Sequence, residues 1–375
     1  MKVRPQIINP DGKFRIIATN RLVGEKWIDI LIENDCRVEY LPFGTKLGEK
    51  ELADFIGDKC DGVIVQLSEN WNSELLNELA KAGGKVLALY AVGYNNVDLK
   101  AATKFKIKVC NTPDALTKAT AELGVALTFA AARRICESDT YMRQGKFKGW
   151  HPNLMLGIEL HRKTLGVIGL GRIGSVYAEK MIFGNKMNLM YYNPSEKPEF
   201  TSKLDKISEF LRQSGEEGIT CKKTDLDELL NKSDVIALFP RFTSETEKLI
   251  AKSEFSKMKS NAVFVNMSRG KVVDEKALVE HCKANPNFRC GLDVYENEPN
   301  LTEGLADLPN AVLTPHSGSA TIKARSDMAI LVARNIVASL RNFPPKPENM
   351  KTEIFWKDNP PNFIPSLVNK NVIVS

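Results

Sequence analysis

Short, continuous apolar runs rich in β-branched residues recur almost from one end of this chain to the other, each separated from the next by a stretch of helical periodicity. FRIIAT (14–19), CRVEYL (36–41), DGVIVQ (61–66), KVLALYA (85–91) and KVCNT (108–112) make a first series. TLGVIGLG (164–171), MNLMYYN (187–193), DVIALFP (234–240), AVFVNMS (262–268), FRCGLDV (288–294) and AVLTPH (311–316) make a second. Strands apolar on both faces, alternating with amphipathic stretches such as WIDILIEN (27–34) and WNSELLNELAKAG (71–83), belong to parallel sheets covered by helices on each side. Two series predict two α/β units, and 375 residues are enough to give each its own core.

The joint between the series reads as helical. ATAELGVALTFAAARRICESDTYMRQG (119–145) has the pattern of one long helix, with Thr117 or Thr120 near its start and Gly145 at its stop. A second long helix is expected at 319–341. The tail beyond it, 342–375, is Pro-rich at 344–347 and 360–361, yet its IFW and FIPSLV runs need burial. The chain is therefore expected to return to the first unit, which would comprise 1–118 and 320–375, with 119–319 as the second. Residues 194–225 exceed a compact connection and are strongly charged; they read as a surface insertion with a helix at 203–213.

Composition works by exclusion. With 43% hydrophobic and 26% charged residues the chain is neither disordered nor collagen-like. Its most apolar segment, Leu123 to Ala132, is too short to span a bilayer. The opening MKVRPQIINPDGKF lacks the apolar stretch of a secretory signal, and the final residues are not a peroxisomal S-K-L. A soluble, cytoplasmic protein is the expectation. The net charge of +6 comes from interspersed signs, so neither nucleic acid nor a membrane surface is expected as a partner. Seven scattered cysteines without a C-x-x-C pair read as reduced thiols, with no metal site and no disulfide frame.

The strongest chemical signal is Gly169-Leu170-Gly171-Arg172-Ile173-Gly174. A lone G-x-G-x-x-G is weak, but this one directly follows the strand TLGVI and opens the helical RIGSVYAEKMI. Gly169 suits the tight turn, Gly171 close approach of a pyrophosphate, and Gly174 close helix–strand packing; the helix N-terminus offers free N–H groups and partial positive charge. An acidic residue is expected about 20 positions on to accept the ribose hydroxyls. Asn193 stands there, with Lys197 nearby. An amide can accept a hydrogen bond but does not repel a 2′-phosphate, so NAD(H) is the first choice and NADP(H) stays open.

Four histidines make the search for an acid–base group short. His281 lies in the polar helical DEKALVEHCKAN and reads as solvated; His161 reads as exposed, and His151 belongs to a loop. His316 instead ends an apolar strand and precedes Ser317-Gly318-Ser319-Ala320, at the carboxyl end of a strand where open α/β sheets place ligands. Arg269 and Glu298 follow two further strands. Taken singly, an Arg there fits a surface ion pair and a Glu a solvated loop. Together with His316 they form a much rarer constellation.

These residues carry a resemblance. GLGRIG, NMSRGKVVDEKAL, GLDVYENEP and TPHSGSA, in this order, resemble the D-isomer-specific 2-hydroxyacid dehydrogenase family over residues 12–340. Within it, GDKCDGVIVQLSENW, KAGGKVLALYAVGYNNVDL, TAELGVALTFAAARRI and GWHPNL are most similar to the plant- and alga-type hydroxypyruvate reductases. The resemblance implies a flavodoxin-like substrate domain and a Rossmann dinucleotide domain, both doubly wound, with a cleft between them. It implies reduction of hydroxypyruvate to D-glycerate, and of glyoxylate to glycolate, with Arg269, Glu298 and His316 as the catalytic trio. His316 would donate a proton to the carbonyl oxygen, Glu298 would favour the imidazolium, and Arg269 would hold the carboxylate and polarise the carbonyl. It further implies that the Ala91-Val92-Gly93-Tyr94 loop binds the substrate carboxylate through Val92 and Gly93, that Trp150 reaches a partner's pocket in a homodimer, and that Pro240, Met267, Asp293, Ser317 and Gly318 line the cofactor site. Two departures stand out: Asn193 replaces the subgroup's Asp, and the peroxisomal tripeptide is missing. Other 2-hydroxy acids, such as D-lactate or 3-phosphoglycerate, and a non-catalytic dinucleotide-sensing scaffold remain alternatives.

Overall fold

A computed structural model of the chain describes residues 4–42 and 44–373. It divides into two units, Met1–Leu116 with Ser319–Ser375, and Thr117–Gly318.

The first unit begins with β1 (Gln6–Ile8), β2 (Phe14–Ala18), α1 (Lys26–Ile32), β3 (Cys36–Tyr40), α2 (Glu49–Ile56), β4 (Gly62–Val65), α3 (Ser73–Lys81), β5 (Val86–Leu89), α4 (Leu99–Lys104) and β6 (Lys108–Cys110). The sheet order is β1-β3-β2-β4-β5-β6, parallel except for β1. The inner strands GVIV and VLAL are buried along their whole length, as expected of strands covered on both faces. Helix α3 shows how the local sequence sets its element. The Asn72 side chain accepts the Leu75 N–H at the N-cap, and Leu75, Leu76 and Leu79 form the buried stripe. Each such leucine stabilises the fold by roughly 1.5–3 kcal/mol.

The second unit contains α5 (Thr117–Ala132), α6 (Ile135–Arg143), β7 (Thr164–Ile168), α7 (Arg172–Asn185), β8 (Asn188–Tyr192), α8 (Pro198–Gln213), β9 (Cys221–Lys223), α9 (Leu226–Lys232), β10 (Val235–Leu238), α10 (Lys252–Lys257), β11 (Val263–Asn266), α11 (Glu275–Ala284), β12 (Arg289–Leu292) and β13 (Ala311–Leu313). Its sheet runs β13-β12-β11-β10-β7-β8-β9 with every pairing parallel. The strand order reverses between β7 and β10, the switch point where such sheets bind ligands.

After β13 the chain re-enters the first unit through α12 (Ile322–Leu340), which packs on α1 and β5. The tail then adds itself to the free edge of β6. Leu367 bridges Cys110 antiparallel, Val368 N–H donates to Val109 O at 2.8 Å, and the Asn369 side chain accepts the Val109 N–H at 2.8 Å. Phe355, from the IFW run, is buried.

Three expectations are corrected. The helix at 119–145 is broken in two, with Arg134 left-handed (φ 55°) between α5 and α6. The returning chain is the cause, because Ile158 N–H takes the Ala132 carbonyl at 2.8 Å, an acceptor an unbroken helix would give to Cys136. Residues 194–225 are not a surface insertion. They supply α8 and the edge strand β9, and bury Leu204 and Leu211. His281 is not solvated: it stacks on Phe255 (centroids 5.5 Å apart) and meets Phe288 edge-on at 4.5 Å.

Candidate active site

The glycine motif at the end of β7 is shaped by three different contacts. Gly169 has φ +92°, and a Cβ there would lie 2.6 Å from Pro240 N. A Cβ on Gly174 would lie 2.4 Å from Gly169 O, so the helix presses directly on the turn. At Gly171 a Cβ would meet nothing within 4 Å. Gly171 is also the N-cap of α7, with no side-chain cap and no acidic residue in the first turn, while Ile173 packs against the core. Arg172 is the first helical residue. Open space in front of an uncapped 14-residue helix fits a pyrophosphate, and the residues present therefore suit a dinucleotide. Asn193 follows β8; its Nδ2 donates to Ser195 O at 2.8 Å, leaving Oδ1 without a donor among the described residues.

Arg269 leaves the end of β11 through a turn built by Asn266. The Asn266 Oδ1 accepts the Ser268 N–H (3.0 Å) and hydroxyl (2.8 Å), and its Nδ2 donates to Arg269 O (3.1 Å). The Arg269 guanidinium donates to Ser268 O at 2.7 Å. The next residue, Gly270, lies against the backbone of Tyr295 and Glu296, where no Cβ could fit. Met267 is 6% exposed and packs in the core with Tyr177.

The end of β12 organises the other two groups. Buried Asp293 accepts the Ser317 N–H on Oδ1 (2.7 Å) and the Gly318 N–H on Oδ2 (2.8 Å), and also takes the Thr314 hydroxyl (2.7 Å). The Tyr295 hydroxyl donates to Thr314 O at 2.9 Å, so both Asp293 and Tyr295 tie the loop after β13 to the loop after β12. These bonds hold His316 in a left-handed conformation, φ 51°, that costs a non-glycine residue about 1–2 kcal/mol. Strain at a strand end, held by a buried carboxylate, is characteristic of functional positions.

His316 Nδ1 lies 2.9 Å from Glu298 Oε2, and Glu298 Oε1 accepts the Tyr295 N–H at 3.0 Å. Burial pushes the Glu298 carboxyl up, but the bond and charge of His316, the Tyr295 N–H and the Arg269 charge outweigh it and hold the group below the usual carboxylate range. Burial also lowers the Arg269 pKa, with Glu298 opposing the shift; a guanidinium nonetheless keeps its charge. One contributor escapes the sequence: Glu275, 1% exposed, accepts the Glu296 N–H (2.7 Å) and the Thr302 hydroxyl (2.6 Å), clamping the loop that carries Glu298. Asp274-Glu275 look like ordinary first-turn acids of a helix, so nothing local marks Glu275 as a clamp.

The structure thus brings Arg269, Glu298, Asp293, His316, Ser317 and Gly318 onto three neighbouring strand ends of one sheet, and seats the glycine turn beside Pro240. Val92 and Gly93 belong to the first unit, where they follow β5. Trp150 stands 80% exposed in the segment after α6. Among the described residues no cluster of three or more His, Cys, Asp or Glu could hold a metal ion, and no helix is long and apolar enough to cross a membrane.

Residues 125–318 match the family described as D-isomer specific 2-hydroxyacid dehydrogenase, NAD binding domain. Over 375 residues the chain is 44% identical to a glycerate dehydrogenase of Cucumis sativus, covering 99% of this chain and 98% of that one. The chain belongs to the D-isomer specific 2-hydroxyacid dehydrogenase family. A glyoxylate reductase of Thermococcus litoralis is 41% identical over 84% of this chain and 85% of its own length. Among solved structures, the TT0316 protein of Thermus thermophilus superposes with a TM-score of 0.78 at 35% identity, covering 88% of this chain and 97% of that one. As a dehydrogenase of this family the chain is an oxidoreductase that uses a nicotinamide dinucleotide.

Proposed function

We propose that this enzyme reduces hydroxypyruvate to D-glycerate and glyoxylate to glycolate, with His316 as general acid. The similarity to a glycerate dehydrogenase and a glyoxylate reductase supports the substrates. One observation carries the mechanism: the 2.9 Å contact between His316 Nδ1 and Glu298 Oε2. With Nδ1–H donating to the carboxylate, the proton available for transfer sits on Nε2, and Glu298 stabilises the charged ring that holds it. His316 gives that proton to the carbonyl oxygen of the 2-oxo acid as negative charge develops there. Arg269 polarises the same carbonyl and pairs with the carboxylate, and the N–H groups of Val92 and Gly93 take the carboxylate as well. When bound, the reduced nicotinamide supplies the hydride.

Gly169, Gly171, Arg172, Ile173 and Gly174 are assigned to the pyrophosphate and Asn193 to the adenosine ribose. Pro240, Met267, Asp293, Ser317 and Gly318 are assigned to the walls of the cofactor site, Asp293 acting there through the loop it holds. NAD(H) is favoured, and the neutral Asn193 admits NADP(H). A homodimer is favoured by the apolar side chains exposed along one segment, Ile135, Met142, Phe147, Trp150 and Leu156, which a second copy would cover. Seven unpaired cysteines, five of them buried, suit a reducing compartment such as the cytosol.

The test is loss of NADH or NADPH absorbance on adding hydroxypyruvate, glyoxylate, pyruvate or 3-phosphohydroxypyruvate in turn. Hydroxypyruvate should give the highest kcat/KM; no oxidation with any of the four would reject the reading.

A further inference from the structure

At the start of the loop after β5, the two peptides that join Ala91, Val92 and Gly93 are held through their carbonyls. Ala91 O accepts the Thr112 N–H at 2.8 Å, and Val92 O accepts Nδ2 of Asn111 at 2.8 Å. Both peptides are trans, because the single cis bond among the described residues is Glu298–Pro299. In a trans peptide the N–H points opposite to the C=O. With both carbonyls turned toward residues 111 and 112, the N–H groups of Val92 and Gly93 are turned together the other way, and neither finds an acceptor among the described residues. Asn111 is 7% exposed while Val92 and Gly93 are half-buried, so the carbonyls point to a buried side chain and the N–H groups point away from it.

Asn111 is itself locked. Its Oδ1 accepts the Ser366 hydroxyl, its N–H donates to Ser366 O (3.4 Å), and its carbonyl accepts Nδ2 of fully buried Asn335 on α12 (3.0 Å). Asn335 Oδ1 in turn accepts the Ser366 N–H at 3.0 Å, closing a ring of three residues from the end of β6, α12 and the tail. The ring fixes the amide orientation: Nδ2 faces a carbonyl that can only accept, and Oδ1 faces a hydroxyl that can donate.

We propose that Asn111 is a positioning residue for substrate: through Val92 O it sets the Val92–Gly93 peptide so that two adjacent N–H groups present to the carboxylate of a 2-oxo acid, and the tail residue Ser366 holds Asn111 in that orientation. The proposal rests on the reading above, in which Val92 and Gly93 bind the carboxylate. It makes the tail part of substrate binding although Ser366 touches no substrate.

The test uses the full-length enzyme, hydroxypyruvate as substrate and Asn111→Asp as variant. The side chain keeps its shape but offers Val92 O an acceptor in place of a donor, so the peptide is driven to turn. KM for hydroxypyruvate should rise about tenfold or more, the factor carried by one hydrogen bond to a charged group. The kcat should change far less, and NADH affinity, read by fluorescence, should stay at the wild-type value. Ser366→Ala, which removes one bond and leaves the amide in place, should raise KM about two- to threefold. A folded Asn111→Asp enzyme with wild-type KM would overturn the proposal, as would parallel losses of kcat and NADH affinity, which mark general structural damage. Should Asn111→Asp fail to fold, Ser366→Ala decides alone, and a wild-type KM there overturns it. A wild-type enzyme that oxidises no NADH with hydroxypyruvate would instead reject the functional reading, while the peptide geometry would stand.

Discussion

A Cβ on Gly270 would stand 1.8 Å from the carbonyl carbon of Tyr295. The loop that carries Arg269 is thereby pressed against the loop that carries Glu298, and the separation of the two loops is set by direct backbone contact. The glycine itself has an ordinary φ; what it provides is absence of volume.

Gly270→Ala should therefore separate the two loops. We expect a stability loss of at least about 1–3 kcal/mol, the usual range for overpacking, and a fall in kcat/KM larger than that loss explains. Thermal melts alongside steady-state kinetics would show it, and an active Gly270→Ala enzyme of wild-type stability would contradict the contact.

His316→Gln should lower kcat by about 10²–10⁴-fold, the range of general acid catalysis, with NADH binding still measurable by fluorescence. Glu298→Gln keeps the shape of the ring's partner but not its charge, and a loss on the order of 10²-fold is expected. Because the native Glu298 carboxyl titrates below the usual range, the stability it contributes is present above its unfolded pKa and fades as pH falls through the folded one. The Glu298→Gln variant should accordingly be less stable than wild type near neutrality and converge with it in acid.

Asn193→Asp tests cofactor choice. An added carboxylate accepts the ribose hydroxyls more strongly and repels a 2′-phosphate. The ratio of kcat/KM with NADH to that with NADPH should rise on the order of tenfold. An unchanged ratio would mean that position 193 does not face the ribose.

Glu69 gives a separate dependence on pH. It is 7% exposed, accepts the Thr19 hydroxyl and, at 3.2 Å each, the Trp71 indole N–H and the Gln66 N–H. Burial, against those bonds, pushes its pKa from 4.5 to about 7. The folded protein therefore holds this proton more tightly than the unfolded chain does, and stability is lost as pH rises from 4.5 to 7, by at most about 3 kcal/mol. Glu69→Gln cannot titrate. Its melting temperature relative to wild type should climb between pH 5 and pH 8, and a constant difference would refute the assignment.

Much of this was legible in the chain itself. Continuous apolar strands are a local property, so β2 to β8 and β10 to β13 could be read one by one. The glycine turn and the three strand ends follow from position relative to those strands. The rest depends on partners distant in sequence. β9 is CKK, only a sheet edge gives it a reason to be a strand, and β1 is likewise an edge. The break at Arg134 is imposed by Ile158, which no helical periodicity can foresee. His281 sits among polar neighbours in sequence and aromatic ones in space. Glu275 and Asn111 act through backbone groups of other loops, so their residue types alone carry no signal.

The pairing of the tail with β6 has a consequence for biosynthesis. Residues 117–318 complete their sheet from a contiguous stretch of chain, whereas the first sheet receives its last edge partners, 367 to 369, only after that stretch has been made. On the ribosome the dinucleotide unit can thus finish first, while its companion waits with an open β6 border that invites mispairing until the final segment emerges.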